Sequence, residues 1–103
     1  MRESKIESEL RKRVRQAGGE AYKFLSPGHN GVPDRIVIFP NRRPIFVELK
    51  AEHGELSAIQ KRQIGRLTEL GQNVVVLYGM DGLSQFFQDE GLEEISKAID
   101  CKY

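Results

Sequence analysis

The chain has 103 residues, 39% of them hydrophobic, enough for one core but not two, and its lone Cys101 excludes an intramolecular disulfide, a CxxC redox pair and a cysteine zinc site. No apolar run approaches the roughly 20 residues that span a bilayer, and the opening MRESKIESEL is charged where a signal peptide is apolar, so the expectation is a soluble, cytoplasmic protein without a membrane partner. The net charge of +1 hides a division: residues 1–50 carry eleven Lys/Arg against six Asp/Glu, and residues 81–103 carry two against six. A basic half fits a polyanionic partner, and an acidic tail fits facing away from one.

In chain order, Ile6, Leu10, Val14 and Ala17 recur at the spacing of one helical face, with Arg11, Lys12, Arg13 and Arg15 around it, and Gly18-Gly19 ends the helix. AYKFL (21–25) alternates as a strand does, and SPGHNG (26–31) is a loop. RIVIF (35–39) and PIFVELK (44–50) are strands joined by a tight connection. AEHGEL is a loop, and residues 57–71 read as a helix with Ser57 at its N-cap and Gly71 past its end. NVVVLYG (73–79) is a β-branched run expected to be buried on both faces, and residues 83–99 hold a last helical stretch with a break at Gly91. The order α-β-β-β-α-β-α predicts an α/β protein with a mixed sheet flanked by helices.

Charges stand at the outer ends of the central hairpin. If its connection is Pro40 to Arg42, Asp34 faces Glu48, and a loop one residue shorter or longer shifts this by one. Paired Cβ atoms lie roughly 4.5–5.5 Å apart, and two like charges there repel unless something positive lies between them. Strand alternation sets Lys50 beside Glu48. Two carboxylates and an ammonium suit a divalent ion with oxygen ligands, Mg²⁺ or Mn²⁺, and the hydrolysis of phosphodiesters. The competing reading makes Asp34 a turn residue after Pro33 and Glu48 with Lys50 a solvated edge pair.

At these residues the chain resembles the PD-(D/E)xK nuclease superfamily, whose signature is an acid on a first helix, an Asp opening the second core strand and (D/E)xK ending the third: here Glu7, Asp34 and Glu48-x-Lys50. It is more closely similar to the virus-type replication-repair nuclease family, VRR-NUC. The blocks IESEL, GGEAYKF, SPGHNGVPDR, FVELKA and LSAIQKRQIGRLTELG follow that family's order. The resemblance implies a metal-dependent DNA endonuclease of the restriction-endonuclease-like fold, with residues 1–103 as a single nuclease domain. It also implies a homodimer acting on branched DNA such as four-way (Holliday) junctions.

Carried over by the resemblance, Asp34, Glu48 and the backbone carbonyl of Leu49 bind metal, and Lys50 is the catalytic lysine. Glu7 assists directly or through water, although Glu3 and Glu9 lie on the same helix and an i,i+4 pair with Arg11 is an alternative for Glu7. Gln60 belongs to the active site in the family pattern, holding the lysine or the attacking water, yet Ser57-x-x-Gln60 is also a capping box. Phosphate or DNA contacts are assigned to Lys23, His29, Arg42 and Arg43, with simple solvent exposure as the alternative for each. The rival function is a DNA-binding or assembly module with the fold and no chemistry. Dimer contact is expected around Met80, Leu83, Phe86 and Phe87, because adjacent Phe86 and Phe87 lie about 100° apart on a helix.

Overall fold

The computed structural model describes all residues from Met1 to Tyr103. Helix α1 (Glu3–Gln16) buries Ile6, Leu10 and Val14 completely. It leads into β1 (Glu20–Lys23), then β2 (Arg35–Ile38), β3 (Ile45–Lys50), α2 (Ala58–Glu69), β4 (Asn73–Tyr78), α3 (Gly79–Asp89) and α4 (Glu93–Lys102). The final helical stretch is thus two helices, one more than the sequence order anticipated. The break falls at Gly91, whose φ of +80° lets the N–H groups of Gly91 and Leu92 turn back onto the carbonyls of Gln88 and Phe87, the left-handed ending that only glycine adopts cheaply. The same pattern ends α1 at Gly18 and α2 at Gly71.

The four strands lie in the order β1-β2-β3-β4, antiparallel except for the parallel β3–β4 pair. One face carries Val37, Ile45, Val47, Leu49 and Leu77 into a core closed by α1, α3 and α4. Phe39, Phe86 and Phe87 meet there with ring centroids 5.3–6.3 Å apart. Met80, Leu83, Phe86 and Phe87 are all buried, which corrects their expected role in dimer contact: the two phenylalanine rings pack on each other and on Phe39, and both fit one small core. The other face is partly covered by α2, which has no buried residue of its own. Strand β4 is consequently half-buried along Val74–Val76 and exposed at both ends, where the β-branched run had predicted burial on both faces. It is an edge strand.

Two features carry the fold to the site. The β2–β3 register pairs Arg35 with Val47, Ile36 with Phe46 and Val37 with Ile45. Continued one residue outward, it sets Asp34 opposite Glu48, and Phe24 N–H extends the neighbouring ladder to the Asp34 carbonyl at 2.9 Å. The loop before Asp34 lies against the first turn of α2: a Cβ on Gly31, at φ +88°, would stand 2.4 Å from a methyl of Ile59 and 2.8 Å from its backbone. Only a glycine allows that approach.

Candidate active site

Glu48 is 1% exposed. Lys50 Nζ lies 4.0 Å from its Oε2, and Gln60 Nε2 donates to the same oxygen at 3.3 Å. Oε1 is buried with no hydrogen-bond partner. Burial pushes the Glu48 carboxyl up to about 7; the negative charges of the adjacent Asp34 and, less, of Glu3 push the same way, and Lys50 opposes them. A buried carboxylate with a like-charged neighbour and an unmatched oxygen is costly without a compensating cation.

No group of three His, Cys, Asp or Glu side chains comes together here. A small divalent ion that keeps several waters needs only one or two carboxylates, and Asp34 with Glu48 provides two, one with an oxygen unused by the protein. The donor set is all oxygen, as Mg²⁺ and Mn²⁺ prefer, and the Leu49 carbonyl follows Glu48 directly in β3.

Helix α2 delivers Gln60 through a complete capping box. Ser57 N–H donates to Gln60 Oε1 at 2.9 Å while Gln60 N–H donates to Ser57 Oγ at 3.2 Å. The capping and site contacts coexist because they use opposite ends of one amide. The partner of Gln60 is the carboxylate of Glu48 rather than Lys50.

Glu7 is held elsewhere. Arg35, 8% exposed, donates from Nη2 to Glu7 Oε1 at 2.6 Å and from Nη1 to the Ala21 carbonyl at 3.2 Å. Glu3, also on α1, adds a smaller upward push on the Glu48 carboxyl. Helical spacing alone does not separate the two: Glu3 and Glu7 are i,i+4 neighbours about 40° apart on one helix face, and it is the position of Arg35 that engages Glu7. Glu9, the third candidate, is buried under Arg13, Lys102 and Tyr103.

Lys23 is exposed at the site end of β1, opposite Arg35. His29 is exposed in the loop, its Nδ1 3.1 Å from Ser26 Oγ. Arg42 and Arg43 lie at the hairpin tip, roughly 17 Å along the strands from Asp34 at about 3.3 Å per residue. There they close helix C-termini: Arg42 Nη1 donates to the Glu90 carbonyl at 2.8 Å and Arg43 Nη2 to the Gly71 carbonyl at 3.2 Å. The structure does not bring these two arginines to the site.

Residues 2–81 match the VRR-NUC domain family. The chain belongs to this family. VRR-NUC membership makes it a nuclease domain, and two further likenesses agree. It is 49% identical over 81 residues to "Putative nuclease p44" of Acyrthosiphon pisum secondary endosymbiont phage 1, covering 79% of this chain and 87% of that one. A solved structure described as a VRR_NUC domain superposes with a TM-score of 0.71 at 26% identity, covering 98% of this chain and 97% of the other. The mixed four-stranded sheet flanked by helices is therefore the α/β fold of the family.

Proposed function

We propose that this VRR-NUC domain is a Mg²⁺- or Mn²⁺-dependent DNA endonuclease that cuts branched DNA such as four-way junctions, acting as a homodimer inside the cell, with residues 1–103 as one nuclease domain. The observation that carries the metal dependence is the partnerless Oε1 of buried Glu48 beside Asp34. Asp34, Glu48 and the Leu49 carbonyl hold the ion. Glu3 adds negative charge near it, the part that Glu7 was expected to take. When bound, the ion supplies Lewis-acid polarisation of a phosphate oxygen and of water. Lys50, with its side chain 13% exposed and its ammonium near Glu48 Oε2, orients the scissile phosphate and the attacking water. Gln60 fixes the Glu48 carboxylate. Lys23 and His29, at the same end of the sheet, contact the DNA backbone.

Two-fold pairing follows from the substrate: resolving a junction takes two cuts, and a closed symmetric dimer brings two such sites to related strands. The test is incubation with linear, nicked, flapped and four-way DNAs in Mg²⁺, Mn²⁺ or chelator, with light scattering on the same samples. Metal-dependent paired nicks on the four-way substrate by a dimer are expected. Equal cutting of linear and branched DNA, or a monomer with DNA bound, removes the junction and dimer elements. Binding without cleavage in every metal returns the chain to a non-catalytic binding module.

A further inference from the structure

The two oxygens of Glu48 are in different states. Oε2 accepts from Gln60 Nε2 at 3.3 Å and lies 4.0 Å from Lys50 Nζ, whereas Oε1 is buried without a partner. Gln60 is gripped from its other end by Ser57 N–H, 2.9 Å from Oε1. A side-chain amide has one accepting end and one donating end. A backbone N–H only donates, so Ser57 captures the oxygen. Glu48 Oε2 also faces the Lys50 ammonium, which makes it the accepting oxygen, so it takes the NH₂. Both ends dictate the same orientation, and a flipped amide would lose both bonds.

We propose that the capping box of α2 positions the active site: Ser57, through its backbone N–H, orients the Gln60 amide to occupy Glu48 Oε2, leaving Glu48 Oε1 as the oxygen offered to the divalent ion. This rests on the metal-dependent reading above. Because Gln60 is already ordered by the helix N-terminus, its bond to Glu48 needs no further immobilisation of a flexible side chain. Ser57 touches neither ion nor substrate. It is a positioning residue acting through Gln60, as an outer partner commonly aims a metal-binding carboxylate.

The test uses NMR hydrogen exchange on the metal-free protein and calorimetric titration with Mn²⁺. Ser57→Pro deletes the N–H at a φ of −72°, which proline accepts. Ser57→Ala keeps the N–H and removes only the hydroxyl. The Gln60 NH₂ should be protected in wild type and in Ser57→Ala, and should exchange at least about tenfold faster in Ser57→Pro. Outer-partner losses typically weaken metal binding about 10–100-fold, so Mn²⁺ affinity should fall at least about tenfold in Ser57→Pro and in Gln60→Ala. The double variant should fall no further, since both changes remove one coupled unit. Wild-type protection and wild-type Mn²⁺ affinity in Ser57→Pro overturn the proposal. Should Ser57→Pro not fold, the same bond is read from its other end: rapid exchange of the Ser57 N–H in Gln60→Ala supports the proposal and unchanged protection overturns it. If wild type binds no divalent ion, the metal-dependent reading fails, and the exchange rates alone still decide whether Ser57 orients Gln60.

Discussion

Asp34 stands across the β2–β3 hairpin from Glu48, one register position beyond the Arg35–Val47 pair. The two carboxylates act on each other strongly enough to help hold Glu48 at about 7. Because the folded-state value lies above the ordinary 4.5, the folded protein binds more protons than the unfolded chain between those values. The Glu48 contribution to metal-free stability should therefore be fully present below about 4.5 and be lost as the pH rises through about 7.

Asp34→Asn removes one charge of the pair at nearly constant shape. Without metal it should melt at or above the wild-type temperature at neutral pH, with a shallower loss of stability on raising the pH. Wild type at 100 times its dissociation constant for Mn²⁺ should gain about 2.7 kcal/mol, about 10 °C or more for a domain of this size; the variant should gain almost nothing. A thermal-melt series across pH, with and without Mn²⁺, checks both. An equal Mn²⁺ gain in the two proteins would sink the metal assignment.

Lys50→Ala should abolish cleavage and keep Mn²⁺ binding, since the ammonium is assigned to phosphate and water while the ion is held by oxygen. Calorimetry and a single-turnover cleavage assay on one preparation separate the two effects. Wild-type cutting by Lys50→Ala would remove the lysine from the mechanism.

Gln60→Ala should lose at both ends of its amide. The missing cap contact should cost roughly 0.5–2 kcal/mol of stability, and the missing bond to Glu48 should lower turnover per folded molecule. A chemical-denaturation curve and an assay corrected for folded fraction are the measurements. A destabilised variant of undiminished activity would leave Gln60 as a cap alone.

Glu3→Ala and Glu7→Ala should differ in kind. Removing Glu3 takes away a negative charge felt by Glu48 and should weaken Mn²⁺ binding with little change in melting. Removing Glu7 strips a nearly buried Arg35 of its carboxylate partner and should cost about 1–3 kcal/mol, with metal affinity close to wild type. The reverse pattern, measured by calorimetry and denaturation, would restore Glu7 to the metal site.

Glu9 offers a pH test remote from the proposed chemistry. Burial alone would raise its carboxyl, but hydrogen bonds from Lys102, Arg13 and Tyr103 outweigh burial and hold it down at about 2. A value depressed from 4.5 gives stability that is present above about 4.5 and lost as the pH falls toward 2. At about 1.4 kcal/mol per unit, the network is worth on the order of 3 kcal/mol when Glu9 is charged. Glu9→Gln should melt below wild type at pH 6, and the gap should close as both are acidified. A gap that does not change with pH would show that the Glu9 charge contributes nothing.

What the residues determined by themselves is local. The stripe Ile6, Leu10 and Val14, the capping box at Ser57, the glycine-ended helices and the constant pairing of the hairpin are set by bonds within a few residues or by a turn of fixed length. Those features sufficed to bring Asp34 and Glu48 to one edge of the sheet with Lys50 on the face of Glu48, while the pairing itself waited on the observed register. Only the tertiary structure decided the remainder. Two adjacent phenylalanines found room in one core because their rings pack edge-on against each other and both against Phe39. Arg42 and Arg43 turned to helix C-termini brought to the hairpin tip by remote parts of the chain. The β-branched run of β4 stayed half-open because α2 crosses it without burying a residue. Glu7 was claimed by Arg35, 28 positions away. Each outcome depends on which distant surface arrives to offer a partner, and neither periodicity nor capping within one segment carries that information.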